Sequence, residues 1–142
     1  WNTSSAVEMS FMFVFAHVFN GKVGNWDVSK VERMKQMFHL AFAFNQDISA
    51  WDVSSLITAE QMFEGRGDRK SSFNQPLNAW NVSSLQNARR MFFECNNFNQ
   101  DLNDWNTSSL IDLAGMFEHA VQFNGDISAW DTSNADNFGS VF

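Results

Sequence analysis

Three histidines, one cysteine and sixteen carboxylates are the groups this chain has for acid–base, nucleophilic or metal chemistry. Such chemistry needs them to converge. His17, His39 and His119 fall at three different places relative to the landmarks that recur along the chain, and Cys95 stands alone. No Gly-rich phosphate loop and no paired metal-ligand spacing occurs. A serine does recur, as Ser4, Ser29, Ser54, Ser83, Ser108 and Ser133, but six copies of one residue point to a structural task rather than six nucleophiles. The expectation is a protein that is not an enzyme and needs no cofactor.

What recurs with function in mind is a polar row. Asn2, Asp27, Asp52, Asn81, Asn106 and Asp131 each follow a tryptophan. Like charges on adjacent rungs, as at Asp27 and Asp52, repel unless compensated, and Ca²⁺ is an ion that could compensate them. The row alternates with Asn and has no loop of clustered ligands, so hydrogen-bonded or solvated side chains are the reading and no metal is assigned. Asp27, Asp52, Asn81, Asn106 and Asp131 are candidate binding residues. Asn2, Asn81 and Asn106 also open Asn-x-Ser/Thr acceptor patterns for glycosylation.

A second candidate is the segment 64–72, Glu64-Gly65-Arg66-Gly67-Asp68-Arg69-Lys70-Ser71-Ser72. It is Gly-rich and charged, hence a surface loop. Its Arg66-Gly67-Asp68 tripeptide resembles integrin-recognition loops, against the plainer reading of a solvated loop. Arg66, Arg69 and Lys70 together with Arg89 and Arg90 are expected to form the chain's one basic patch.

The elements that must carry these residues follow from the repeat. All six tryptophans occupy one column, Trp1, Trp26, Trp51, Trp80, Trp105 and Trp130, at gaps of 25, 25, 29, 25 and 25 residues. A fixed period of this size means stacked units. Residues 1–142 read as one array of about five and a half units, and as an excerpt of something longer, with 64–72 as an insertion in the third repeat. An apolar residue three places before each Trp from Trp26 on and a β-branched one two places after every Trp suggest a short strand. Apolar steps of three and four follow, as in Val31, Met34, Met37 and Phe38 or Leu110, Leu113, Met116 and Phe117. They suggest an amphipathic helix, started by the serines, since Ser29 with Glu32 and Ser109 with Asp112 have capping-box spacing. The fold class expected is α/β: a right-handed leucine-rich-repeat-type solenoid, with a parallel sheet on the inner face and short helices outside.

Two columns of phenylalanine, one in the Met-Phe pair and one in a recurring Phe-Asn pair, are expected to stack into two aromatic spines. The Asn of the second pair reads as a satisfier of turn backbone. Cys95 shares its column with Ala16, Ala41 and Ala120 and reads as a small buried residue.

Charge narrows the partners. The net charge is −7, from 9 basic and 16 acidic residues, which argues against nucleic acid. Every Lys and Arg lies between Lys22 and Arg90, and eight acids follow Arg90, so the surface field is graded along the array. No run of eighteen or more apolar residues is present to span a membrane.

The stretch Phe44-Asn45-Gln46-Asp47-Ile48-Ser49-Ala50-Trp51-Asp52-Val53-Ser54, followed by a Met-Phe segment, resembles the BspA-like leucine-rich-repeat surface proteins, whose repeat is also found in mycoplasma surface lipoproteins as a domain of unknown function. The resemblance implies extracellular or cell-surface placement and a role in adhesion, with a protein or a glycan as partner. The alternative is a structural spacer or assembly subunit that packs, through its ends or sides, against copies of itself or other chains. Phe11, Phe15, Phe42 and Phe93 lie beside the main apolar stripe and hint at the alternative.

Overall fold

The computed structural model describes residues 1–67, 69 and 71–142. Each repeat is one layer of a stack, and the layers are 1–25, 26–50, 51–79, 80–104, 105–129 and 130–142. The expected elements do not form: among the described residues there is no helix, and the only β-pairing is single-residue bridges. The α/β leucine-rich-repeat-type solenoid, with its inner parallel sheet and outer helices, is therefore corrected to a stack of layers built from turns.

The apolar-x-x-Trp spacing closes a turn rather than starting a strand. Trp51 N–H donates to the Ile48 carbonyl, Trp80 to Leu77 and Trp105 to Leu102, at 3.0 to 3.2 Å. The next three-residue step closes a second turn, with Leu56 N–H on Val53 and Leu85 N–H on Val82, both at 2.9 Å. Both turns bring apolar ends inward, which is why the spacing buries these residues without a strand. Parallel pairing does link the layers, but one residue at a time and seven places past each Trp, through Glu8, Arg33, Thr58, Asn87, Asp112 and Asn137.

The helix-like stretch is also a chain of turns. Met37 donates to Met34 at 3.2 Å, His39 to Gln36 at 3.2 Å and Ala41 to Phe38 at 3.0 Å. The residues between turn the other way: Met34, Gln36, Phe38 and Leu40 donate to Thr58, Glu60, Met62 and Glu64 of the next layer, at 2.8 to 3.0 Å. This alternation needs left-handed backbone at Gln36 (φ 53°) and Leu40 (φ 56°), and likewise at Phe11, Phe15, Gln61, Arg90, Glu94, His119 and Ser140. Gly115 alone meets the same requirement with a glycine (φ 65°). Such a backbone costs about 1–2 kcal/mol for a residue with a side chain. It is offset because each of Gln36, Leu40, Arg90 and Glu94 sends its N–H to the next layer.

The interior is aromatic. Phe13, Phe38, Phe63, Phe92, Phe117 and Phe142 stack along the array at 5.5 to 5.9 Å between centroids. Phe19, Phe44, Phe73, Phe98 and Phe123 form a second spine at 5.8 to 6.1 Å. Within each layer the two spines touch face to face, 3.8 Å apart for Phe38 and Phe44. Each inner tryptophan donates its indole N–H to the carbonyl three places before the preceding tryptophan, as Trp80 to Ile48 at 3.0 Å and Trp105 to Leu77 at 2.8 Å, so its polar edge is satisfied inside the core.

Candidate functional site

Most of the recurring polar residues are engaged in building the layers. Asn45, Asn74, Asn99 and Asn124 each donate a backbone N–H to the side-chain oxygen of the Asn one layer back, at 2.7 to 3.0 Å. Gln46, Gln75 and Gln100 add side-chain donors to the same oxygens. This column serves turn backbone.

The row after Trp is a row of Asx turns. Asn2, Asp27, Asp52, Asn81, Asn106 and Asp131 each accept the N–H of the serine two places on, at 3.0 to 3.2 Å. The serines therefore start no helix; each is the donor that closes its turn, and the capping-box reading is corrected. Ser29 Oγ and Ser108 Oγ also donate to the same oxygens, at 2.7 Å. These bonds from the serine hydroxyl and N–H hold the Asp27, Asp52 and Asp131 carboxyls below the usual carboxylate range. The residues remain exposed, as do Ala50, Ala79 and Ala129. Asn2, Asn81 and Asn106 are exposed as well, with one oxygen engaged as above.

The described arginines of the expected basic patch line two clefts. Arg66 and Arg69 line a cleft of about 230 Å³ with Phe15, His17, Leu40 and Phe42. Arg89 and Arg90 line a different one, with Gly115, Glu118 and Ser140 among its walls. Arg90 faces Glu64 at 3.9 Å and stacks on Phe93 at 3.7 Å, so its charge is held within the stack. Lys70 of the expected five-residue basic patch and Asp68 of the tripeptide lie outside the described residues. Gly67 opens a third, mixed cleft with Glu94, Asn96, His119 and Gln122.

The insertion is tied down at both ends. Gly65 donates its N–H to Phe93 at 2.8 Å, and Ser72 donates to Phe42 at 2.9 Å. Between them Arg66 and Arg69 pair as an antiparallel bridge. The Arg69 guanidinium lies 5.7 Å from the centre of the Phe42 ring, and His17 packs on the other residues of this corner, 5.0 Å from Phe42. Spacing placed Phe15 and Phe42 beside the main apolar stripe but did not show that they meet His17 and the insertion in one cleft. The available signal was that their columns vary: the column of Phe15 continues as Leu40, Glu94 and His119, and that of Phe42 as Asn96 and Val121.

Groups suited to catalysis stay dispersed. Among the described residues no three His, Cys, Asp or Glu side chains are placed to share a metal ion. His39 is held below its usual pKa by burial and by the Arg90 charge, and its buried Nδ1 has no partner. Cys95 is fully buried, its thiol on Ser71 Oγ at 3.5 Å, and burial pushes it up to about 12.

A family model described as "Mycoplasma protein of unknown function, DUF285" matches residues 1–68 and again 67–142. No curated protein and no solved structure matches the chain.

Proposed function

The chain belongs to the family described as Mycoplasma protein of unknown function, DUF285, and on that premise we propose that it is a non-enzymatic interaction module of a cell surface or the extracellular space, which contacts a protein or glycan partner. The likeness of its repeat to BspA-like surface proteins supports the placement. The observation that carries the binding role is the insertion. The Asn of each Phe-Asn pair holds layer to layer and the Asx row closes its own turns, whereas the one break in period brings Arg69 over the half-buried Phe42 ring, in a cleft with the exposed Phe15 and His17. Solvent-facing loops positioned by a rigid scaffold are where recognition concentrates.

The test is a chain whose third repeat is shortened to the common period by removing the four extra residues. Surface capture on host cells and matrix extract is compared with the parent chain, and circular dichroism checks that both melt alike. Loss of capture with unchanged melting supports the reading; undiminished capture by the shortened chain refutes a role for the insertion.

A structural or assembly role is favoured by a different observation. Phe11 is 51% exposed and Phe15 60%, both beside the main apolar stripe. Leu113, Ile127, Trp130, Phe138 and Val141 line an apolar groove with Phe142. Exposed apolar surface of this kind suits contact with copies of the chain or with other chains. Light scattering over a range of concentrations separates the readings: a monomer that still binds supports the module, and a chain that assembles without binding supports the scaffold.

A further inference from the structure

We infer that Asn81 and Asn106 are acceptors for N-linked glycosylation, each carrying an oligosaccharide on its side-chain nitrogen. The inference goes beyond the interaction-module reading and shares with it only the extracellular placement, which takes a chain past glycosylating enzymes.

The fold leaves one atom of each side chain unused. Asn81 Oδ1 accepts the Ser83 N–H at 3.2 Å, and Asn106 Oδ1 accepts the Ser108 N–H at 3.2 Å and the Ser108 hydroxyl at 2.7 Å. Neither Nδ2 has a partner among the described residues. Both residues are exposed. The same turn closes on Asp27, Asp52 and Asp131, whose carboxylates have no nitrogen at all. The turn needs one oxygen, and the amide nitrogen at Asn81 and Asn106 does nothing for the stack.

The residues that follow make this nitrogen an acceptor. Asn81-Val82-Ser83 and Asn106-Thr107-Ser108 both have the Asn-x-Ser/Thr pattern with no proline in the middle. The middle residue of each, Val82 or Thr107, is buried, so the triplet is anchored through its centre while the Asn faces water. The Asn residues that hold layer to layer differ on this point. Asn45, Asn74 and Asn99 are followed two places on by Asp47, Pro76 and Asp101, and none of them has the pattern.

Transfer joins Nδ2 to the anomeric carbon of a sugar activated as a phosphate ester. The N–C bond forms, the C–O bond to phosphate breaks, the phosphate leaves, and the amide gives up one proton. Oδ1 takes no part, so the product keeps the acceptor that closes the turn. Modification therefore costs the layer none of the hydrogen bonds described above.

The experiment is secretion of the full chain from a eukaryotic host, with intact-mass analysis and peptide mapping. Oligosaccharide is expected at Asn81 and at Asn106. Ser83→Ala and Ser108→Ala should each empty the site two places before it, while the backbone N–H still closes the turn. Asn81→Asp and Asn106→Asp should lose the oligosaccharide and melt within about 1 °C of the unmodified chain, because aspartate supplies the same oxygen. Amidase release of the oligosaccharide leaves aspartate at each site and should leave melting equally unchanged. A secreted chain bare at either residue overturns the assignment of that residue. Modification that survives loss of the serine hydroxyl overturns it too, as does a modified chain that melts well below its amidase-treated form. A bare chain that still loses surface capture when the insertion is shortened overturns the glycan sites and leaves the interaction-module reading standing.

Discussion

Replacing Asn74 by leucine removes the acceptor for two donors of the following layer. Asn74 Oδ1 accepts the Asn99 N–H at 2.9 Å and the Gln100 amide at 2.9 Å. The substitution leaves the Asn99 N–H without its protein partner, and the Gln100 amide keeps only the longer contact of 3.3 Å to the Asn74 carbonyl. Two partly exposed hydrogen bonds of this kind contribute about 1–3 kcal/mol together. For a chain of this size about 3 °C of melting temperature follows each kcal/mol, so Asn74→Leu should melt about 3–9 °C lower. Asn124 is the internal control. It holds the same column and donates its own N–H to Asn99 at 2.7 Å, but it lies in the last full repeat, with no later Phe-Asn pair in the chain to receive. Asn124→Leu should therefore melt within about 1 °C of the parent. Differential scanning calorimetry of the three chains decides the matter. Equal losses at both positions would mean that the column acts through something other than the layer-to-layer bond, and the reasoning would fail.

Glu64 provides a pH test. Burial, at 8% exposure, raises its carboxyl above the usual 4.5, while Gln61 and Arg90 pull the other way. A raised folded value favours the folded chain below the unfolded value, and that advantage is lost as pH rises through the folded value. Glu64→Gln should accordingly melt higher than the parent at pH 7 and show no advantage at a pH below 4.5; a lower melting temperature at pH 7 would mean that the Arg90 pair outweighs burial. Cys95 should resist a thiol reagent in the folded chain and react stoichiometrically after denaturation, since burial pushes its thiol up to about 12. Fast native-state labelling would refute its burial. Gly65→Ala should destabilise by about 1–3 kcal/mol, as overpacking does, because a Cβ there runs into the Glu94 carbonyl. An unchanged denaturation midpoint would show that the neck of the insertion is free to move.

The period, the aromatic columns and the buried stripe were legible because they depend only on which residues face inward. Val31, Met34, Met37 and Phe38 are all buried, as their steps of three and four require. The same steps fit both a helix and a run of turns, however, and composition could not separate the two. Left-handed backbone is ordinarily marked by Gly or Asn, yet here it falls on Phe11, Gln36, Leu40, Arg90, Glu94 and His119. Only Gly115 carried the usual sign. The N–H groups of Phe11, Gln36, Leu40, Arg90 and Glu94 donate to carbonyls one layer away, and local propensity does not encode those acceptors. The serine column misled for a related reason: Ser29 and Glu32 have capping-box spacing, but the hydrogen bond that forms runs from Ser29 back to Asp27 at 3.1 Å.

The candidate site was half legible. Arg66 and Arg69 stood out as a break in period, and the packing of Arg69 on the Phe42 ring did not, because it depends on which side of the stack the insertion folds over. Phe15, His17 and Phe42 join the site through columns whose residue types change from layer to layer. In a repeat array those variable columns, rather than the faithful ones, are free to differ without loosening the stack.

Everything above depends on the layers being made of turns, with their polar columns directed at neighbouring backbone. Far-UV circular dichroism of the folded chain, recorded through a thermal melt, tests this most directly. The account predicts a cooperative transition from a spectrum without the paired minima of α-helix. A folded spectrum with helical minima strong enough for one short helix in every repeat would contradict it.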